Sequence, residues 1–138
     1  MAKRLLIIQP YVPAYRVPLF RHMKESLSAM GIDLAIAAPL AIGRDSSRND
    51  DETAAFADFI LENKEIQIGK RGFFKRDLSN VMNAFDPDMV IVEQAIKNLE
   101  AWSLAFNPKF RSKPSIAMWG QGRSYSSAQS NVEAATKQ

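Results

Sequence analysis

The chain has 138 residues, of which 46% are apolar and 24% are charged, and this balance is typical of one globular domain with a real core. It contains no cysteine and a single histidine, which excludes disulfides, thiolate zinc sites and a histidine-rich metal centre within one chain. The net charge of +3 weakly favours anionic partners. No apolar run approaches the roughly 20 residues that cross a bilayer, and the first run is too short for a signal-peptide core. We therefore expect a cytoplasmic protein.

The first strand and the turn after it organise the chain. Residues 5–8 form a short, continuous apolar run, which is typical of a strand buried on both faces of a parallel sheet. Pro10, Pro13 and Pro18 prevent a regular element from continuing through the next stretch, because proline lacks an N–H and its φ is restricted.

A helix follows, with Pro18 in its first turn and Gly31 at its end. Its apolar face comprises Leu19, Phe20, Met23, Leu27 and Met30. A polar and aromatic loop with Tyr11, Tyr15 and Arg16 then lies at the carboxyl end of the first strand. Open α/β sheets bind ligands at that edge.

Residues 32–38 predict a second apolar strand, parallel to the first. Residues 43–53 are polar and charged, and we interpret them as a mobile loop, either an ordinary surface loop or a substrate lid. A short helix is predicted over 54–61. Alternation of polar and apolar residues over 65–68 predicts a third strand nearer the sheet edge.

The segment 70–76 joins four basic residues to two aromatic ones, and the next apolar residues share a helical face. That face comprises Phe74, Leu78, Val81, Met82 and Phe85. Membrane contact is one interpretation of the basic segment, through Lys70, Arg71, Phe73, Lys75 and Arg76. The alternative is a solvated, basic helix start with Phe74 turned into the core. Nucleic-acid binding is not expected, because no extended basic face accompanies the segment.

Residues 89–92 and 114–119 predict a fourth and a fifth strand, with a helix over 98–106 between them. Residues 131–138 begin a helical pattern that stops without a cap, so we expect a domain cut within a helix. The predicted fold is a single Rossmann-like three-layer α/β domain over 1–138. Its mainly parallel sheet has at least five strands in the order 3-2-1-4-5.

Three groups of residues follow strands whose carboxyl ends meet at one edge, and they predict a common cleft. The candidate ligand-binding residues are Tyr11, Tyr15, Arg16, Glu93, Gln94, Gly120, Gln121, Gly122 and Arg123. Arg16 and Arg123 suit phosphate or carboxylate, with a solvated or salt-bridged arginine as the alternative. Glu93 suits a base or an acceptor for sugar hydroxyls, with a helix N-terminal acid as the alternative.

Other sites are excluded or less favoured. Gly120-Gln121-Gly122 lacks the third glycine of a dinucleotide fingerprint, and no P-loop motif is present, so no cofactor and no metal are expected. His22 lies within the first helix, where a structural role is favoured. Trp119 suits either stacking on a sugar or burial in the core.

Three segments together resemble the amino-terminal half of a GT-B glycosyltransferase of family 4. Residues 11–20 (YVPAYRVPLF) resemble the segment after the first strand in one branch of that family. The Pro-Asp pair before the fourth strand, over 87–93, resembles the family's fourth strand. Residues 119–123 (WGQGR) resemble a strand end that often reads WGHGR, and Gln121 stands in place of the histidine.

The resemblance implies two Rossmann-like domains around a cleft. The second domain would hold the nucleotide-sugar donor, and this one the glycan or lipid-linked acceptor. Transfer would retain anomeric configuration without a bound metal, and basic groups would stabilise the departing diphosphate. On that interpretation, this chain is a fragment of a hexosyltransferase. It is not expected to catalyse sugar transfer alone. A stand-alone binding or interaction module and an ordinary nucleotide-binding domain remain open as alternatives.

Overall fold

The computed structural model describes residues 2–43, 46–76, 78–93 and 114–120. The strands are β1 (Lys3–Ile8), β2 (Ile32–Pro39), β3 (Phe59–Leu61), β4 (Asn63–Ile68), β5 (Arg71–Arg76), β6 (Met89–Glu93) and β7 (Ser115–Trp119). The helices are α1 (Val17–Ala29), α2 (Thr53–Phe56) and α3 (Ser79–Phe85), with 3-10 turns at Ala14–Arg16 and Ser46–Arg48.

Five strands form one sheet in the order β3-β2-β1-β6-β7, and each neighbouring pair is parallel. This confirms the predicted order and the α/β Rossmann-like class. β1 lies at the centre, with Ile8 aligned to Ala37 on one side and to Val92 on the other. Its carboxyl end is therefore flanked by strand ends on both sides.

The core lies on both faces of this sheet, because side chains alternate along each strand. Ile7 and Ile36 face α1 and pack with the fully buried Phe20. Leu6 and Val90 face the other way and pack with Val81 of α3. Double-sided burial explains why the runs 5–8, 34–38 and 89–92, within β1, β2 and β6, are continuously apolar rather than alternating.

Helix α1 follows the sequence signals at its two ends, whereas Leu19 and Met30 of its predicted apolar face are exposed. Pro18 lies in its first turn, and Gly31 follows its end with a φ of +76°. A Cβ at Gly31 would have no heavy atom within 4 Å, apart from its chain neighbours, so the cost of a side chain there comes from the backbone conformation.

We expect Gly31→Ala to lower the free energy of unfolding by about 1–2 kcal/mol, because alanine disfavours the left-handed region. Gly31→Asn is the matched control and should cost less, since asparagine tolerates that region better. Urea denaturation measures both variants. Equal stability of the alanine variant and the unsubstituted protein would contradict this account.

Two predictions are right only in part. The helix predicted over 54–61 is shorter than expected, because β3 occupies 59–61. The strand predicted over 65–68 is present within β4, but it lies outside this sheet, whose third strand is β3. Helix α2 is a single turn and ends at Phe56. Asp58 then joins the chain to β2: its backbone N–H donates to Ile36 O at 2.9 Å, and its carboxylate accepts from Ile36 N–H at 2.8 Å. These bonds direct the next residues into the sheet.

Segment 63–76 is an antiparallel hairpin, so the prediction of a helix beginning near Phe74 is wrong. β4 pairs with β5 from Asn63↔Arg76 to Ile68↔Arg71, outside the five-stranded sheet. Gly69, with a φ of +62°, and Lys70 form the connection. The positive φ permits a tight two-residue turn, and the aromatic and β-branched residues on either side favour strands. Helix α3 begins only at Ser79.

The predicted helices over 98–106 and 131–138 lie outside the described residues. No helix in the described part of the chain has both the length and the apolar character needed to cross a membrane.

Candidate functional site

The carboxyl ends of β1, β6 and β7 lie side by side at one edge of the sheet. Glu93 at the end of β6 is aligned with Trp119 at the end of β7, and Gly120 follows directly. The 3-10 turn that carries Tyr15 and Arg16 leaves the end of β1 at the same edge. The sheet thus brings at least one described member of each predicted group to this edge, namely Arg16, Glu93 and Gly120.

Arg16 is the centre of this edge. Its guanidinium carbon lies 4.8 Å from the centroid of the Trp119 ring and 5.6 Å from that of Tyr15. Its Nη1 donates a hydrogen bond to Oε1 of Gln9. We refer to Gln9, Tyr15, Arg16 and Trp119 as the arginine–aromatic cluster. Its positive charge lies over the faces of two aromatic rings, an arrangement that is favourable electrostatically.

Gln9 is a site residue that the sequence analysis missed. It is 1% exposed, directly follows the last residue of β1, and extends the β1–β2 pairing through a hydrogen bond from its N–H to Ala37 O at 2.9 Å. A polar residue at the end of a buried apolar run was the available signal. The fold buries a neutral amide there, and that amide orients Arg16 without neutralising its charge.

Trp119 is only partly buried, with 36% of its surface exposed, so burial alone does not describe its role. One edge of its ring packs against Phe20, with centroids 6.3 Å apart and an angle of 89° between the rings. Its position at the strand end, between the core and Arg16, makes it both a support for the cluster and an accessible aromatic surface.

Tyr11 does not join the cluster, although the sequence groups it with Tyr15 and Arg16. It is 4% exposed, and its hydroxyl donates to Asp50 Oδ1 at 3.0 Å. Desolvation and the hydrogen bond to Asp50 raise the pKa of Tyr11, against a smaller opposite effect of Arg48. Tyr11 therefore stabilises the loop that contains Asp50, and its side chain is buried away from the exposed surface of the cluster.

Residues 50–53 clamp the segment that follows β1. Val12 N–H donates to Thr53 Oγ1 at 2.7 Å, and Glu52 N–H donates to Val12 O at 2.8 Å. Ala14 N–H donates to Asp50 O at 2.8 Å. The second half of the predicted mobile loop is therefore held in place, and this 50–53 clamp supports the turn that positions Arg16.

The Asp51 carboxylate stabilises the 50–53 clamp by accepting hydrogen bonds from the N–H groups of Ala41 and Thr53, each at 2.9 Å. Partial burial acts to raise the pKa of Asp51, but hydrogen bonds from the Thr53 side chain and from the N–H groups of Ala41 and Thr53 outweigh it, so the pKa lies below its ordinary value. A carboxyl group with a depressed folded-state pKa stabilises the fold above its unfolded pKa. That stabilisation is lost as the pH falls through the folded value.

We expect Asp51→Asn to lower the melting temperature at pH 7, and the difference from the unsubstituted protein to shrink as the pH falls below the ordinary pKa of 3.8. Thermal unfolding followed by circular dichroism between pH 7 and about pH 3 measures it. A difference that stays constant over this range would refute the role of the ionised carboxylate.

An open groove of about 290 Å³ lies on the outer side of the same turn. It is lined by Ala14, Val17, Pro18, Arg21, Glu52, Ala55 and Phe56. The Arg21 guanidinium and the Lys24 ammonium lie over the Phe56 ring, at 5.9 and 5.4 Å from its centroid. Glu52 of the 50–53 clamp and Phe56 of α2 thus form one wall of this groove, and Arg21 of α1 lies opposite them in its lining.

The other predicted site residues are placed as follows. Glu93 is half-buried at its strand end, and Gly120 is exposed. Gln94, Gln121, Gly122 and Arg123 lie outside the described residues. Of the basic segment, Lys70 is exposed at the hairpin turn, whereas Arg71, Phe73, Lys75 and Arg76 belong to β5.

The fold and this edge define a Rossmann-like α/β domain with a cationic and aromatic cluster at the carboxyl end of its central strand. Comparisons of the chain with protein-family models, with curated proteins and with solved structures find no match.

Proposed function

We propose that this domain binds the acceptor in a retaining glycosyltransferase of the GT-B type, which moves a sugar from a nucleotide-sugar donor to a glycan or lipid-linked acceptor. One observation carries the proposal. Two of the segments that resemble family 4, residues 11–20 and 119–123, meet in space through Arg16 and Trp119, whose guanidinium carbon and ring centroid are 4.8 Å apart. A shared ligand site explains why both segments have their distinctive residues.

The chemistry of the cluster suits a sugar. Tyr15 is 67% exposed and offers an aromatic surface, as does the accessible part of Trp119. Arg16 supplies charge-assisted hydrogen bonds, and the Glu93 carboxylate suits acceptance of hydrogen bonds from sugar hydroxyls. The donor would bind mainly to a second domain, and the transfer would need no metal. The domain alone would then bind without catalysing transfer.

A lipid-linked acceptor would place the domain at the inner face of a membrane. The hairpin formed by β4 and β5 supports this part of the proposal, because the segment 63–76 contains five basic residues and two phenylalanines. Each basic residue near an anionic surface contributes about 1 kcal/mol of attraction. Sedimentation with phosphatidylserine vesicles tests it, and equal recovery with neutral vesicles would count against it.

The alternative is a binding module without catalysis. The composition of the arginine–aromatic cluster favours it, because Gln9, Tyr15, Arg16 and Trp119 can bind and orient a ligand but none is a general base at neutral pH. The two functions share the ligand site and differ in whether the native gene product transfers a sugar.

Saturation-transfer NMR of the 138-residue chain with neutral methyl glycosides and oligosaccharides tests sugar binding. We expect saturation to reach the sugar protons, to be lost in Tyr15→Ala and to be kept in Tyr15→Phe, which retains the ring. If none of the sugars receives saturation from the protein, the proposed sugar site is refuted. Incubation of the native gene product with labelled nucleotide sugars and glycans then separates the functions, since label in the glycan supports the enzyme and its absence supports the module.

A further inference from the structure

We propose that the arginine–aromatic cluster selects acidic sugars. Arg16 binds the oxyanion of such a sugar, which is either a carboxylate or a phosphate. The inference rests on the proposed function for the sugar itself. The oxyanion preference comes from the geometry and charge around Arg16.

The guanidinium plane is held on several sides. Trp119 and Tyr15 lie at 4.8 and 5.6 Å from its carbon, and the buried Gln9 accepts from Nη1. Phe20 supports the Trp119 ring from below, at 6.3 Å between centroids. A guanidinium fixed in this way loses little rotational freedom when it binds a planar or tetrahedral oxyanion with two parallel hydrogen bonds.

Arg16 makes no ion pair with a carboxylate within the described ranges. Two other described cations have such partners: Arg4 lies 3.7 Å from Asp86, and Lys24 lies 2.6 Å from Asp58. Among the described residues, Arg16 instead bonds a neutral amide through Nη1, and this contact takes up one of its five N–H donors. A partly desolvated guanidinium that makes no ion pair favours an anion over a neutral hydroxyl.

The helix that follows adds to this preference. Arg16 immediately precedes α1, a 13-residue helix with no side-chain cap and no acidic residue in its first turn. The positive end of the helix dipole therefore lies at the backbone of Arg16, and the first turn of α1 carries no acidic side chain. An oxyanion bound by Arg16 would be stabilised by the guanidinium and by the helix dipole.

Titration of the ¹⁵N-labelled chain at constant ionic strength tests the inference, with glucose, glucuronate, glucose 6-phosphate and inorganic phosphate as probes. The Arg16 Nε–H and Trp119 Nε1–H signals report on the cluster. We expect glucuronate or glucose 6-phosphate to bind about tenfold or more tightly than glucose, as is typical for a hydrogen-bonded charge. Comparison of the dissociation constants of glucuronate and glucose 6-phosphate identifies whether a carboxylate or a phosphate is preferred.

Three variants make the result specific. Arg16→Gln should remove the advantage of the acidic sugars, and Arg16→Lys should restore only part of it, because an ammonium lacks the planar fork. Lys3→Gln is the control, because Lys3 is a cation at the opposite, amino-terminal end of β1, and this variant should keep the full advantage. The backbone amide spectrum and thermal unfolding midpoint of each variant verify the fold.

The outcomes separate this inference from the proposed function. Equal binding of glucose and both acidic sugars would overturn the inference and leave sugar binding intact. Persistence of the advantage in Arg16→Gln would overturn it as well. Binding of inorganic phosphate at Arg16, with no added affinity from any sugar, would support the oxyanion site and refute the sugar-binding function.

Discussion

Replacing Phe20 by alanine is expected to lower the free energy of unfolding by about 3–5 kcal/mol, a large part of the stability of a domain of this size. Phe20 is fully buried and stacks on Phe56, with centroids 6.5 Å apart, while the edge of Trp119 packs against it. The truncation removes apolar contacts and leaves a cavity that rigid neighbours cannot fill. It also removes the support beneath Trp119, so the indole signal of Trp119 should shift.

Urea denaturation at neutral pH measures this effect, and the midpoint should fall while the slope of free energy against urea is unchanged. Leu19→Ala is the matched control, since Leu19 precedes Phe20 on α1 and is 45% exposed; we expect a loss of about 1 kcal/mol. Similar losses for the two variants would show that the core does not depend on Phe20 as the packing indicates.

Replacing Thr53 by valine is expected to lower the free energy of unfolding by about 1–3 kcal/mol and to loosen the segment after β1. Thr53 is fully buried, and its hydroxyl accepts from the N–H of Val12, which is itself fully buried. Valine preserves the shape but leaves that N–H without its acceptor. A buried, unsatisfied donor costs more than the net value of the hydrogen bond it had made.

Hydrogen exchange distinguishes this cause from a general loss of stability. In Thr53→Val the amide of Val12 should exchange faster than the amides of β2, because the clamp opens locally. Thr53→Ser keeps the hydroxyl and should retain most of the protection at Val12. Unchanged protection of Val12 in the valine variant would contradict the clamp.

How far the sequence predicts the fold differs from one segment to another. The strands β1, β2 and β6 were predictable because a strand buried on both faces needs a continuous apolar run, whatever its neighbours are. The apolar run of β7 was recognised in the same way, although most of its residues are exposed at the edge of the sheet. Helix α1 was predictable because Pro18 and Gly31 act within one turn of their own positions. The strand order followed from the handedness and shortness of the connections.

The second strand of the hairpin, Arg71–Arg76, was mispredicted as a helix start because its residues fit two periods. Phe74 has a helical spacing to Leu78 and Val81, yet it lies in a strand paired across the Gly69 turn. Periodicity cannot decide between two such patterns in a short segment, whereas pairing with a neighbouring strand can. The strand β3 was missed for a related reason: three residues have little pattern, and Asp58 directs them into the sheet.

Composition and local spacing were therefore enough to determine the α/β class, the central parallel strands and the edge at which polar residues gather. Which residues meet at that edge was decided by tertiary contacts. Through these contacts Tyr11 bonds Asp50 of the 50–53 clamp, Gln9 is buried, and Arg16 lies against Trp119. The physical reason is that such contacts join distant parts of the chain, as the separation of 41 residues between Val12 and Thr53 illustrates, and no local pattern encodes them.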